Sequence, residues 1–223
     1  MEGCNKLRYE SRTQPPLLNA LSEDTVEIGI ANISLVMSER TWYLTNLPLH
    51  HFKISNESSL GSGITSKMRF TSGFFEMLIK LPTQRSPGVV STFYLTSDTK
   101  NLHGNHDEID FEFLGTDGPP FILQTNIYAG DSGGREQRIK LQFDPTKDFH
   151  NYAILWNKKE IKLLVDKKAI RVYLNKNGAR FPKGPMAAEA TLWNGDSWAS
   201  GGKKIDWSKA PFQLHFRGFT IAA

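Results

Sequence analysis

The chain has one cysteine, Cys4, in 223 residues. No disulfide can form within it, so the fold must be held by core packing. No apolar run approaches the roughly 20 residues of a membrane-spanning helix. Neither sign of charge dominates. The net charge is +4 with no basic block, too diffuse to argue for nucleic acid or a membrane surface. Amphipathic helical spacing is missing over any useful length, which argues against a helical bundle. Met1 to Arg8 lacks the apolar core of a secretory leader, so no signal peptide is expected. Leu60-Gly61-Ser62-Gly63-Ile64-Thr65-Ser66-Lys67 is glycine-rich, but no helix follows to complete a phosphate loop, and it reads as a turn leading into a strand. His50 and His51 are adjacent and would face opposite ways on a strand, so they share no metal. Nothing points to a cofactor.

What is present is strand pattern punctuated by Gly, Pro and Asn. Residues 1–24, polar and containing Pro15-Pro16, read as an irregular lead-in, and 25–223 as a single domain. Thr25 to Met37 reads as the first strands, broken near Gly29. In Gly73 to Leu81, residues Phe75, Met77, Ile79 and Leu81 share one face, as in a central strand. Val89 to Leu95, Phe121 to Tyr128 and the pair Ile161–Val165 and Ala169–Tyr173 follow, the last two flanking the turn Asp166-Lys167-Lys168. The fold class is therefore all-β, a sandwich of antiparallel sheets. Aromatics make up 11% of the chain, but they serve equally as sandwich core and as platforms for sugar rings, so their number alone decides nothing.

The chemistry concentrates in His106-Asp107-Glu108-Ile109-Asp110-Phe111-Glu112-Phe113-Leu114-Gly115. From Glu108 on, acid and apolar residues alternate, which is the period of a strand. Glu108, Asp110 and Glu112 fall on one face and Ile109, Phe111 and Phe113 on the other. Three acids abreast repel one another, and strands usually carry Val, Thr or Tyr at such positions. An acid row backed by an apolar face suits retaining glycoside cleavage, in which one carboxylate attacks the anomeric carbon and a second, protonated, serves the leaving oxygen. An aspartate between them keeps both glutamates from ionising together.

This stretch closely resembles the active-site strand of glycoside hydrolase family 16, in the form found in plant xyloglucan endotransglucosylase/hydrolases. The likeness extends over about residues 25–219, through Phe143–Trp156, Trp193-Asn194-Gly195-Asp196-Ser197-Trp198 and Arg217-Gly218-Phe219. It implies a β-jelly-roll of two curved antiparallel sheets with an open cleft on the concave face. It implies Glu108 as nucleophile, Glu112 as acid/base and Asp110 as helper. It further implies substrate contacts from Tyr94, Gln124, Asn126, Arg135, Glu136, Trp193, Trp198 and Gly202, and a structural role for His150. The partner expected is a polysaccharide, β-glucan or xyloglucan, met by a monomer without metal. The family's transferases continue past Arg217-Gly218-Phe219 into a cysteine-rich extension. Its absence here leads to the expectation of an endo-acting β-glucanase, with xyloglucan endotransglucosylase as the alternative and a glucan-binding lectin as a second. Such a substrate implies the cell wall, while the lack of a leader leaves cytoplasmic retention or unconventional secretion open.

Overall fold

The structure, a computed structural model, describes residues 25–28, 33–37, 42–45, 52–55, 61–98 and 104–223. The strands in chain order are β1 (Thr25–Ile28), β2 (Ile33–Met37), β3 (Trp42–Thr45), β4 (Phe52–Ser55) and β5 (Gly61–Ser66). Then come β6 (Gly73–Lys80), β7 (Val89–Thr96), β8 (His106–Leu114), β9 (Ile122–Asp131) and β10 (Gln137–Lys140). The last are β11 (His150–Trp156), β12 (Glu160–Val165), β13 (Lys168–Leu174), β14 (Ala187–Asn194) and β15 (Phe212–Ala222). Short 3-10 turns at Ala199–Gly201 and Trp207–Lys209 are the helical pieces among the described residues.

The strands form two sheets. One is ordered β13-β12-β11-β6-β15-β2-β3, with β1 also on β15. The other, ordered β10-β9-β8-β7-β14-β5-β4, has the acidic strand β8 near its middle. All pairings are antiparallel, as expected from the turn-rich strand pattern.

The inner faces pack as their alternation demands. Ile109, Phe111 and Phe113 are buried in the main core with Phe93, Tyr152 and Phe219. Phe93 stacks on Phe111 at 6.3 Å and meets Phe219 edge-on at 6.2 Å. Tyr152 meets Phe111 at 5.8 Å and Phe113 at 4.9 Å, both edge-on. Tyr152 and Phe219 belong to the other sheet, so this aromatic cluster joins the two layers directly behind the acids. Edge-to-face rings add about 0.5–1.5 kcal/mol per pair beyond their burial.

Two local readings change. Gly61–Ser66 is itself a strand, β5, with every residue buried. Gly61 has to be glycine for packing: a Cβ there would lie 2.5 Å from Trp193 Cβ and 2.8 Å from the Leu192 carbonyl oxygen. The alternation was hidden because small residues served close approach to β14. The β12–β13 hairpin turns on two residues, Asp166 (φ 47) and Lys167 (φ 66), and Lys168 already pairs with Val165. Positive φ at both central positions matches the sheet's right-handed twist. Asp166 Oδ2 lies 2.8 Å from His150 Nδ1 and its Oδ1 accepts the Asn151 N–H, while Phe143 stacks on the His150 ring. That is the structural role expected of His150. Cys4, His50 and His51, and the lead-in 1–24 lie outside the described residues.

Tyr152 is fully buried, yet its hydroxyl has no hydrogen-bond partner among the described residues. A buried unsatisfied hydroxyl costs about 1–3 kcal/mol. Tyr152→Phe keeps both ring contacts and removes that cost, so it should leave stability unchanged or raise it by about 1 kcal/mol. Phe111→Ala, which empties the same cluster, should cost about 3–5 kcal/mol. Urea unfolding midpoints of the two variants check the contrast.

Candidate active site

Strand register assembles the site on the outer face of the seven-stranded sheet. Glu108, Asp110 and Glu112 lie in a row along β8. Across β7 they face Thr96, Tyr94 and Thr92, and across β9 they face Tyr128, Asn126 and Gln124. Gln124 in turn pairs with Arg138 on β10. One cross-strand row therefore reads Glu189, Tyr94, Asp110, Asn126, and the next reads Thr191, Thr92, Glu112, Gln124, Arg138.

The acids are held unequally. Asp110 is 4% exposed, and its Oδ1 accepts the backbone N–H of Asn126 at 2.5 Å. Burial pushes its carboxyl well above the usual range, and the charges of Glu112 and Glu108 push the same way. Glu112 is raised to about 6, chiefly by burial and then by Glu108 and Glu136. Its Oε2 accepts a hydrogen bond from Gln124 Nε2 at 2.7 Å, which opposes the rise. Gln124 Oε1 accepts from Arg138 Nε at 2.9 Å. With both ends of its amide fixed, Gln124 orients the Glu112 carboxyl and passes on the influence of Arg138. Glu108 lies at the less buried end of the row, with Oε2 3.4 Å from His106 Nε2.

Tyr128, on β9 opposite Glu108, feels the charge of the whole row. Tyr128 is raised to about 12, by burial first and then by Glu108, Asp110, Glu112 and Glu136 together.

The other expected residues separate into groups. Tyr94, half-buried beside Asp110, donates its hydroxyl to Glu189 Oε2 at 2.8 Å. Asn126 Nδ2 donates to Glu136 Oε1 at 3.1 Å, while Asn126 Oδ1 accepts the Arg135 backbone N–H. Arg135 is tied into the β9–β10 connection. Its guanidinium donates to Asp131 and to the carbonyls of Ile127 and Gly133, and its own carbonyl accepts from Arg171. Trp193 and Trp198 lie side by side, ring centroids 5.9 Å apart, over a small apolar patch of Val90, Leu114 and Ala199. Gly202 (φ 77) closes the turn after Trp198, its N–H donating to the Ala199 carbonyl.

His106, Tyr128, Arg138, Glu189 and Arg171 belong to this neighbourhood and were not singled out by sequence. For Tyr128 a signal existed: it continues the period-two run Gln124, Asn126 on the same face. Arg171 had none, because it reaches from β13 across the sandwich to Thr125 and the Arg135 carbonyl.

Asp110 and Glu112, raised by burial, share one face of a two-sheet β-sandwich with Glu108, an arrangement of the type that glycoside cleavage uses. The chain belongs to the glycosyl hydrolases family 16, whose model matches residues 26–209. Xyloglucan endotransglucosylase/hydrolase protein 2 of Arabidopsis thaliana is 50% identical over 173 residues, covering 75% of this chain and 58% of that protein. Protein 3 of the same series and organism is 49% identical over 169 residues, at 74% and 57% coverage. Xyloglucan endotransglucosylase protein 6 of Diospyros kaki is 46% identical over 177 residues, at 77% and 57%. The chain thus spans somewhat less than three-fifths of the length of these relatives. Among solved structures, the Bacillus licheniformis β-glucanase superposes with TM-score 0.61 at 25% identity, covering 73% of this chain and 71% of that one. The Crh5 transglycosylase reaches TM-score 0.64 at 21% identity, covering 89% and 87%, a likeness of fold alone. The sandwich is the family's β-jelly-roll.

The Gln124 bridge is testable without an assay of activity. Its amide N–H stabilises ionised Glu112, so Gln124→Leu should raise the Glu112 titration above about 6. Carboxyl carbon chemical shifts followed against pH read this directly. A titration that stays in place or falls would remove Gln124 from the role.

Proposed function

We propose that the protein cleaves β-1,4-linked glucan chains of the xyloglucan type with retention of anomeric configuration, and passes the cleaved chain to a sugar hydroxyl or to water. The observation that carries this is the placing of Glu112, its carboxyl pushed up to about 6 by burial, on the same face as Glu108, with buried Asp110 between them. Glu108 attacks the anomeric carbon while Glu112 gives its proton to the departing oxygen. A glycosyl ester on Glu108 results. Glu112, now a carboxylate, takes the proton of the incoming hydroxyl as that oxygen displaces Glu108. Asp110, kept from ready ionisation by burial and by its neighbours, spares the row a third full charge.

Trp193 and Trp198 offer apolar faces for pyranose CH groups at the Leu114 end of the acid row. Tyr94, Gln124, Asn126 and Glu136 supply polar edges beside the acids, while Arg135 acts by bracing the loop that presents Glu136. The relatives are named for xyloglucan, and for transfer as well as hydrolysis. The preference for hydrolysis rested on where the chain stops, which carries no weight. Transfer to a second glucan chain is therefore the favoured outcome, with hydrolysis as the second reading because the same Glu112 step serves water. Mixed-linkage glucan is a further substrate to try, and the substrate implies an extracellular setting.

Glu108→Ala should leave the fold intact and lower xyloglucan cleavage on the order of 10⁴-fold or more. Size-exclusion profiles of polymer incubated with a fluorescent xyloglucan oligosaccharide separate the outcomes: label entering the polymer marks transfer, and new reducing ends without label mark hydrolysis. Cleavage by the Glu108 variant, or an inverted first-formed product by NMR, would overturn the reading.

A further inference from the structure

His106 has no part in the reaction as described, yet it is built into the surroundings of Glu108. It opens β8 two residues earlier, so both side chains lie on the cleft face. His106 Nδ1 lies 2.8 Å from the Gly104 carbonyl oxygen. A carbonyl only accepts, so Nδ1 carries a proton. Nε2 then faces Glu108 Oε2 at 3.4 Å. A neutral ring in that tautomer would turn a lone pair toward a carboxylate, whereas the imidazolium offers a proton to each side. The ring is kept from swinging by Tyr128, stacked on it at 4.6 Å with planes 22° apart. On β9 the register slips between His106 and Asp107, around Gly130 (φ 64), which seats the histidine at the end of the sheet against Tyr128.

The charged and titratable groups around the ring are mostly acidic. Glu108 and Asp107 lie on its own strand, and Asp107 Oδ2 is occupied by the N–H groups of Lys183 and Gly184. Asp98, just past β7, adds its field. From β9 come Tyr128 and Asp131, the latter paired with Arg135. Of these, Glu108 and Asp98, with the Gly104 carbonyl, raise the imidazole to about 9, the hydrogen bond to Glu108 leading and burial opposing.

We propose that His106, held as an imidazolium by this geometry, is a positioning residue that orients the Glu108 carboxylate and stabilises its negative charge. This rests on Glu108 being the nucleophile. It has two kinetic consequences. The cation favours the charged carboxylate at the moment of attack. It also favours return of the electron pair to Glu108 when the glycosyl–oxygen bond breaks in the second step, so Glu108 leaves more readily from the ester.

The test uses a β-1,4-gluco-oligosaccharide with an activated phenol leaving group, which departs without a proton from Glu112. His106→Gln keeps a hydrogen-bonding group without the charge, and His106→Lys restores a charge without the ring. Expected for His106→Gln is an acid limb of kcat/KM displaced to higher pH, and kcat lowered roughly tenfold to a hundredfold. A burst of phenol should appear as breakdown of the glycosyl-enzyme becomes limiting, with the unfolding midpoint near wild type. His106→Lys should bring the limb back toward wild type. A rate loss in His106→Gln with the acid limb in place and no burst would reduce His106 to packing and overturn the proposal. Glu108→Ala with and without azide is the control for the parent reading. Turnover by that variant without azide would show that Glu108 is not the nucleophile, whatever His106 does.

Discussion

Like charges forced together on one strand set the terms for this structure. Acids two residues apart on a strand are about 6–7 Å apart at Cα. At that separation a pair of full charges costs roughly 2–3 kcal/mol at an effective dielectric near 20. Ionising the whole row would consume a large share of the 5–15 kcal/mol by which an ordinary domain is stable. The molecule answers at each position differently. Asp110 is buried and shifted strongly toward the neutral acid, Glu112 is poised at about 6 with an amide holding it, and His106 faces Glu108 with its Nε2. Burial first, and then the neighbouring charges, hold Asp110 and Glu112 toward the neutral acid, which lightens the repulsion along the row.

Such a row survives only if the strand cannot shift. A one-residue slip would turn Phe111 and Phe113 to the cleft and the acids into the core. The aromatic cluster of Phe93, Phe111, Phe113, Tyr152 and Phe219 opposes that from behind. From the side, Arg171 spans the sandwich to grip the Thr125 carbonyl and hydroxyl and the Arg135 carbonyl. Arg135 then fixes the β9–β10 connection through Asp131. Two arginines thus tie backbone carbonyls, Asp131 and Thr125 together, which holds Gln124, Asn126 and Glu136 in register beside the acids. Burial pulls Arg171 below its ordinary range, with Asp110 and Glu136 opposing, so its charge is felt at the site without a direct contact.

The legibility of the sequence follows from the range of each interaction. Period-two alternation from Glu108 to Phe113 stated both faces of β8, because local geometry alone decides which side a strand residue takes. The sandwich class followed from the same pattern repeated between turns. Gly61–Ser66 was read as a turn because glycine usually marks one, and the backbone of β14 that demands it lies over a hundred residues away. Arg135 was taken for a sugar contact on resemblance. Its partners Asp131 and Ile127 are close in the chain, but only the fold shows its donors engaged by them. Arg138 was missed because it meets Gln124 only across the β9–β10 pairing. Non-local partners of polar side chains were the part that a pattern read along one strand could not supply.

The separation of hydrolysis from transfer belongs, in the proposed reaction, to a different part of the molecule than the acids. In the proposed reaction Glu108 leaves the anomeric carbon identically whether the incoming oxygen belongs to water or to a sugar, and Glu112 takes the proton in either case. No change confined to the trio can favour one without helping the other by a comparable factor. The partition is set by how long an acceptor chain stays beside the ester relative to the arrival of water, and so by apolar area and hydrogen-bonding edges along the cleft. A glucan acceptor gains from stacking surface, which water does not. Trp193 and Trp198, packed on Val90 and Leu114 at the end of the row beyond Glu112, are where the described residues concentrate such surface. In the proposed reaction the acids determine that a glucan is cut, and the indoles bear on what is joined to the cut end.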